Sequence, residues 1–194
     1  MPLSNFLIAK ILKQIRLLDL YDEDDIDMIR YSLQAILWEI EKIIILLLLF
    51  TWMGRPDYFL ITLLAVISIR MIAGGYHSQT SLNCLIITFI GFFLAIIALP
   101  LIPLNNFGLF ALFGFSLLVT WLAAPIRSIE KEAIQNTEKD RQKKITATII
   151  TSIWFFGIAI YKMHPYAHPI LWIIVLQNAQ LLFEYIRRKK YTRP

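Results

Sequence analysis

The 194-residue chain has a single cysteine, Cys84, and one of its three histidines, His77, stands seven residues before it. A thiol attacks as its thiolate, so a nucleophilic cysteine needs a base or a positive potential beside it. Both are within reach of residues 74–84 (GGYHSQTSLNC). If Thr80 or Ser81 caps a helix, Cys84 falls in its first turn, where unpaired backbone N–H groups favour an anion. His77 supplies the imidazole. Seven residues of continuous helix would set the two about 10 Å apart along the axis, too far for a proton to pass over about 3 Å. A Cys–His pair therefore requires a break, and Gly74–Gly75 offers one, from which the chain can fold back over the start of the next helix. On residue type alone two other readings stay open: a small buried thiol and a polar histidine anchored at a boundary.

The elements that hold these residues are apolar and long. Apolar residues make up 58% of the chain and charged ones 17%, against roughly 45–50% and about 25% in soluble domains. A soluble globule of this length could not hide that much apolar surface, and 13% aromatic residues exclude disorder. One cysteine excludes an intrachain disulfide framework. The composition implies an all-α, polytopic integral membrane protein forming a single domain over 1–194. Uncharged or nearly uncharged runs predict spans over 36–53, 58–73, 82–103, 107–126, 145–163 and 166–186, about six in all. Residues 1–20 put Leu7, Ile8, Ile11, Leu12, Ile15 and Leu18 on one helical face and Lys10, Lys13 and Arg16 on the other, the pattern of an amphipathic helix lying on an anionic lipid surface.

Basic residues set the expected sidedness. Three lie in that helix; six lie in 127–144 (Arg127, Lys131, Lys139, Arg141, Lys143, Lys144); five lie in the tail 187–194. The turns at 54–57, 104–106 and 164–165 hold only Arg55. Six spans with both termini in the cytoplasm put every basic segment inside and every turn outside, and place the Cys84 region at the cytoplasmic face of a multi-pass cell-membrane protein. The net charge of +5 is then a topology signal. No basic face is interleaved with exposed aromatics, so nucleic acid is not an expected partner.

Other polar residues take weaker roles. Glu39 and Glu41 stand near the start of the first span, where either could orient His77. Gln34, Ser78, Gln79, Thr80, Ser81 and Asn83 offer donors to an oxyanion, as do backbone N–H groups near Cys84. Gln177, Asn178 and Gln180 read as glue between helices. Arg70 reads as a snorkelling cation at a span end. The acidic run from Asp19 to Asp27 reads as a solvated linker. His164 and His168 have helical metal spacing, but Pro165, Pro169 and an outer position argue against zinc, so no metal and no cofactor is expected.

The stretch 70–84, RMIAGGYHSQTSLNC, resembles the signature of the accessory gene regulator B (AgrB) family, a Gly-Gly-Tyr-His segment with a cysteine seven residues after the histidine. Length, the basic amphipathic start, and Ala124–Pro125 before a charged segment are similar to that family as well. The resemblance implies a membrane cysteine endopeptidase of quorum sensing. Such an enzyme cuts the C-terminal tail from a small AgrD-like propeptide, keeps the remainder as a thioester, and lets an internal Cys or Ser close a thiolactone or lactone. Carried over, Cys84 is the nucleophile and His77 the base, with Arg70 and Gly75 as supporting residues. The resemblance also implies a homodimer, and it gives Lys131, Lys139, Arg141, Lys143 and Lys144 a possible task in docking an acidic substrate tail. The competing readings are a small transporter or exporter, against which the lack of inverted repeats counts, and a non-catalytic scaffold. The expected sidedness has a direct check: a membrane-impermeant thiol reagent should label Cys84 in inside-out vesicles and not in intact cells, and labelling only from outside would invert the topology.

Overall fold

A computed structural model describes residues 2–17, 22–75, 80–126, 137–161 and 163–191. Every regular element among them is helical: α1 (Pro2–Leu17), α2 (Glu23–Trp52), α3 (Pro56–Ala73), α4 (Ser81–Phe93), α5 (Asn106–Ala123), α6 (Thr137–Ile160) and α7 (Ala167–Tyr191), with a π-helical turn (Leu94–Ala98) and a 3-10 turn (Leu99–Leu101) continuing α4. The chain divides into two compact units, Met1–Gly54 and Arg55–Pro194.

In the first unit the described part of the acidic run, from Asp22 on, is exposed as its composition suggested, but it forms the start of a helix and not a linker. Asp22 caps α2, its carboxylate accepting the Asp25 N–H at 2.8 Å, and Glu23, Asp24 and Asp25 fill the first turn, where carboxylates face the positive end of the helix dipole. The helix then runs for 30 residues, about 45 Å and well beyond the roughly 30 Å of a bilayer core. Two positions expected to rest on lipid, Ile8 and Leu12 of α1, are instead buried against Ile26, with Ile29, Leu33 and Leu37 packed around them. Protein thus covers part of the apolar stripe of α1, while Ile11 stays exposed. Arg16 closes the connection by pairing with Glu23 at 3.0 Å.

Five helices among the described residues are long and apolar enough to cross a membrane: Pro56–Ala73, Leu82–Leu101, Asn106–Ala123, Glu138–Ile160 and Ala167–Lys189. The remaining stretch read from the sequence, 36–53, is the second half of α2, and Glu39, Glu41 and Lys42 keep it outside that group. Two of these charges are paired within the helix, Lys42 Nζ to Glu39 at 2.6 Å. The described parts of the basic segments expected as loop and tail, 137–144 and 187–191, are helical. Lys139, Arg141, Lys143 and Lys144 sit on the first two turns of α6, which opens with Glu138 and Asp140, and Arg187, Arg188 and Lys189 continue α7. The third span ends in π and 3-10 turns because Pro100 has no N–H to give Ile96, and its ring would strike that carbonyl in an α-helix.

In the second unit α7 is the central element. Half of its span is buried, against 17–33% for the other four. In lipid, apolar packing alone gives helices little reason to associate, and small or hydroxylated residues that allow close approach and hydrogen bonds do so instead. The buried set fits: Ala65, Ala95, Ala123 and Ala147 with Thr62, Ser116, Thr120 and Thr151. Thr120 Oγ1 donates to Asn178 Oδ1 at 2.8 Å, and the Asn178 amide donates in turn to Ile174 O at 3.0 Å. Trp154 Nε1 donates to Ser68 Oγ at 2.9 Å. Large apolar side chains such as Leu64, Phe110, Ile153, Phe156 and Phe183 point outward, each more than half exposed. At one end of the unit Tyr166 Oη donates to Asp57 at 2.7 Å, tying the start of α7 to the start of α3.

The Thr120–Asn178 bond should carry measurable stability. In a double-mutant cycle of Thr120→Val and Asn178→Ala, followed by denaturant unfolding in micelles, the coupling is expected to lie between about 0.6 and 1.7 kcal/mol; strictly additive losses would show the bond to be idle.

Candidate functional site

The site begins where α3 stops. Gly74 adopts φ +78° and ψ −161°, a region closed to other L-residues, and donates its N–H to Arg70 O at 2.9 Å. A Cβ on Gly74 would collide with the carbonyl oxygen of Ile126. That contact exists because the chain leaving α5 through Ala124 and Pro125 returns to α3, where the Ile126 N–H donates to Ala73 O at 2.9 Å. Gly75 is buried beside it. A Cβ there would lie 3.2 Å from Gln177 Nε2, 3.3 Å from Arg70 Nε and 3.6 Å from Arg70 Cγ. Gln177 also donates to Gly74 O at 3.3 Å. The end of α3, the exit of α5 and the middle of α7 are thus locked together around two residues without side chains. Arg70 lays its stem and Nε over Gly75.

Five residues after Gly75, Thr80 opens α4. Its backbone is extended, its Oγ1 accepts the Asn83 N–H at 3.4 Å, and its carbonyl accepts the Cys84 N–H at 3.1 Å. Cys84 is therefore in the first turn of α4, half-buried, with its own carbonyl taken by Thr88 Oγ1 at 2.7 Å. The first N–H groups of a helix lack intrahelical partners, so the thiol stands at the positive end of the α4 dipole.

The other sequence-derived candidates divide. His77 and Ser78 lie outside the described residues, as does Lys131, so the expected return of the imidazole over α4 is not among the contacts described. Ser81 is the first residue of α4, and its side chain also lies outside the described set. Lys139, Arg141 and Lys143 are exposed on α6, and Lys144 Nζ lies 5.6 Å from the ring centre of Trp121. Gln34, Glu39 and Glu41 belong to the first unit: Gln34 is half-buried, Glu39 is engaged by Lys42, and Glu41 Oε2 is buried without a partner among the described residues. His164 Nδ1 accepts the Tyr166 N–H at 3.4 Å and its ring packs on that tyrosine. Among the described residues no group of three or more His, Cys, Asp or Glu could hold a metal.

One polar residue escaped the sequence reading. Glu184, on α7, is almost wholly buried, and its Oε1 accepts from both Arg187 and Arg188 at 2.8 Å. The available signal was a lone acidic residue near the end of an apolar run, followed by arginines three and four positions on.

The model of a family described as "Accessory gene regulator B" matches residues 4–181. A "Putative AgrB-like protein" of Clostridium beijerinckii is 30% identical over 161 residues, covering 81% of this chain and 77% of that protein. A "Putative AgrB-like protein 1" of Clostridium perfringens is 24% identical over 166 residues, covering 86% and 89%. No solved structure matches the chain.

The two glycines should respond differently to a methyl group. Gly74→Ala meets rigid backbone in a forbidden φ/ψ region and should cost at least about 2 kcal/mol. Gly75→Ala meets the Gln177 amide and the Arg70 stem, side chains and not backbone, so its loss should be smaller, about 1 kcal/mol, and Gln177→Ala should recover part of it. Denaturant unfolding of the purified variants checks the order; a larger loss at Gly75 would contradict this packing.

Proposed function

The chain belongs to the accessory gene regulator B family, a membership that makes it a multi-pass membrane protein tied to accessory-gene-regulator peptide processing, and on that premise we propose that it is a cysteine endopeptidase and cyclase acting on a small AgrD-like propeptide. The observation that carries the reading is the position of the chain's single thiol, in the Thr80-capped first turn of α4, just past the close-packed Gly74–Gly75 exit from α3.

In the proposed reaction His77 takes the Cys84 proton and Sγ attacks the scissile carbonyl carbon. The oxyanion forms near the start of α4, where backbone N–H groups and the polar residues of 78–83 can receive it. Collapse breaks the C–N bond; the leaving amine takes the proton back from the His77 imidazolium, and the N-terminal part stays as a thioester on Cys84. A Cys or Ser side chain of the same peptide then attacks the thioester, losing its proton to His77, and expels Cys84, which recovers that proton. The product is a thiolactone or lactone, with no water or cofactor consumed. One activated acyl group is traded for another, so a site that limits water favours ring closure over hydrolysis. Arg70 and Gly75 shape the approach to this site, and the basic residues of 127–144 attract an acidic substrate tail in a salt-sensitive way. We place the site at the cytoplasmic face of the bacterial cell membrane, with both termini inside, α1 at the anionic lipid surface, and the protein acting as a homodimer.

Co-expression with the cognate propeptide tests the reading. Wild type should release the C-terminal fragment and accumulate a hydroxylamine-labile peptide adduct. Cys84→Ala should abolish both, Cys84→Ser should trap or greatly slow the acyl-enzyme, and His77→Ala should lower release by about 10²–10⁴-fold. Undiminished release by well-expressed Cys84→Ala would remove the enzyme reading.

A further inference from the structure

The end of the bundle away from Gly74 holds a cavity of about 330 Å³ between α3, α6 and α7, at the lower end of the roughly 300–1,000 Å³ that small-molecule sites occupy. Its walls are apolar: Ile61 of α3, Trp154 and Gly157 of α6, and Ile170 of α7. The polar atom of the Trp154 indole is taken up by Ser68 Oγ at 2.9 Å. Gly157 leaves the space open, since a Cβ there would meet nothing within 4 Å. Ile158, Ala167 and Ile170 are buried, whereas Tyr161 and His164 are exposed, so the mouth lies at the end of the bundle. From Tyr161 down to Trp154 the wall descends about 10 Å, into segments long and apolar enough to cross a membrane.

The rim is polar and offers donors. His164 Nδ1 accepts the Tyr166 N–H at 3.4 Å, so the proton of the neutral ring sits on Nε2, ready for a ligand. Tyr161 adds a hydroxyl. Tyr166 keeps its own hydroxyl on Asp57 at 2.7 Å, and its ring lies 4.8 Å from that of His164, which ties the rim to the start of α3. An apolar space stays dry and takes apolar guests, and atoms that face a void forgo their dispersion contacts. In a multi-pass membrane protein the apolar guest at hand is a lipid acyl chain. The ester and phosphate oxygens at the top of such a chain are acceptors, the complement of the His164 and Tyr161 donors. Backbone N–H groups of a peptide would instead find Asp57, the carboxylate at this end, already engaged by Tyr166.

We propose that this cavity is a lipid site, in which one acyl chain of a phospholipid lies along Gly157 with its ester or phosphate oxygens at His164 and Tyr161. The site stands apart from the peptidase reading and needs only the membrane placement. Asp57 at the start of α3 and Gly74 at its end put the whole helix between the lipid and the thiol region. On the topology proposed above, the lipid comes from the outer leaflet. Seated there, the chain supplies contacts that α3, α6 and α7 do not make with one another beside Gly157, and so braces the three helices at the end where Tyr166 and Asp57 already join two of them.

The experiment uses the full-length protein in liposomes containing a phosphatidylglycerol with a photoreactive diazirine midway along one acyl chain. Adducts are mapped to residues by mass spectrometry. Ile61, Trp154, Gly157 and Ile170 should take label well above the outward-facing Leu64, Ile153 and Phe156 of the same helices. Gly157→Leu fills the cavity from a position where the new side chain meets no neighbour at its Cβ. It is expected to cut labelling of the cavity about tenfold and to leave the outward positions unchanged. His164→Phe keeps a ring on Tyr166 but removes the donor, and should lower cavity labelling about threefold or more. Equal labelling of cavity and outward positions, which marks annular lipid only, overturns the proposal, as does unchanged cavity labelling in either variant. If Gly157→Leu does not fold, Ile61→Trp narrows the same space from α3, and the same loss of label is required of it. A free fatty acid bearing the same diazirine separates the two sources of a chain: labelling of the cavity by the acid and not by the phospholipid also overturns the assignment.

Discussion

Apolar side chains gain little by leaving lipid for a protein interior that is no less apolar, so a bundle of this composition holds together where polar groups reach across it. Along α7 two neighbouring residues supply such groups, Asn178 to Thr120 of α5 and Gln177 to the Gly74 carbonyl, while Glu184 is paired within the helix with its own Arg187 and Arg188. Each is buried, and each would be expensive to expose to hydrocarbon unpaired. α7 is accordingly the most buried span, although its sequence is no more apolar than that of its neighbours. Its position follows from hydrogen-bond satisfaction more than from hydrophobicity.

The same requirement explains the two glycines. An α-helix that ends at the bundle's edge leaves carbonyls without partners. At the end of α3 the Ala73 carbonyl is taken by the Ile126 N–H and the Gly74 carbonyl by Gln177. Such inter-element bonds need the backbones within about 3 Å of each other, a distance that a Cβ on Gly74 does not permit. Gly74–Gly75 is therefore both a break in the helix and the point at which three elements are cross-linked. The chain that follows starts from a fixed base on its way to the Thr80 cap.

What could be read in the sequence depended on the range of the interaction. Spans were legible because they depend on local apolarity, and so was the Thr80 cap, whose signal lies within three residues of its partner Asn83. The packing of α1 was not. Periodicity identifies an amphipathic stripe but not what covers it, and Ile8 and Leu12 meet Ile26 in place of lipid. The acidic run was misread for a related reason. Asp22 to Asp25 are solvated, yet carboxylates are also what a helix start selects, and only the helix that runs on to Trp52 decides between linker and cap. In the same way Lys139 to Lys144 read as loop because charge outweighs helical propensity in a hydropathy scan. Glu184 went unremarked because one carboxylate among apolar residues gives no pattern; its importance comes from two arginines a turn away and from burial by distant elements.

These features bear on how a thiol site can be built in a membrane. On the peptidase reading proposed above, the thiol must meet a peptide while water is kept away, which needs a rigid support on one side and an open approach on the other. The support comes from the cross-linked end of α3, which no apolar contact could fix as tightly in lipid. The approach comes from the first half of α4, where the packing among the described residues stops short of Cys84 and tightens only beyond Gly91, as the helix widens into its π turn against α7. Pro100 matters here despite its distance, because it forces that widening and so fixes how the far half of the span seats. A straight α-helix in its place would turn the residues on either side of the π segment by a different angle, and the thiol and the buried α7 face could not both keep their present orientations.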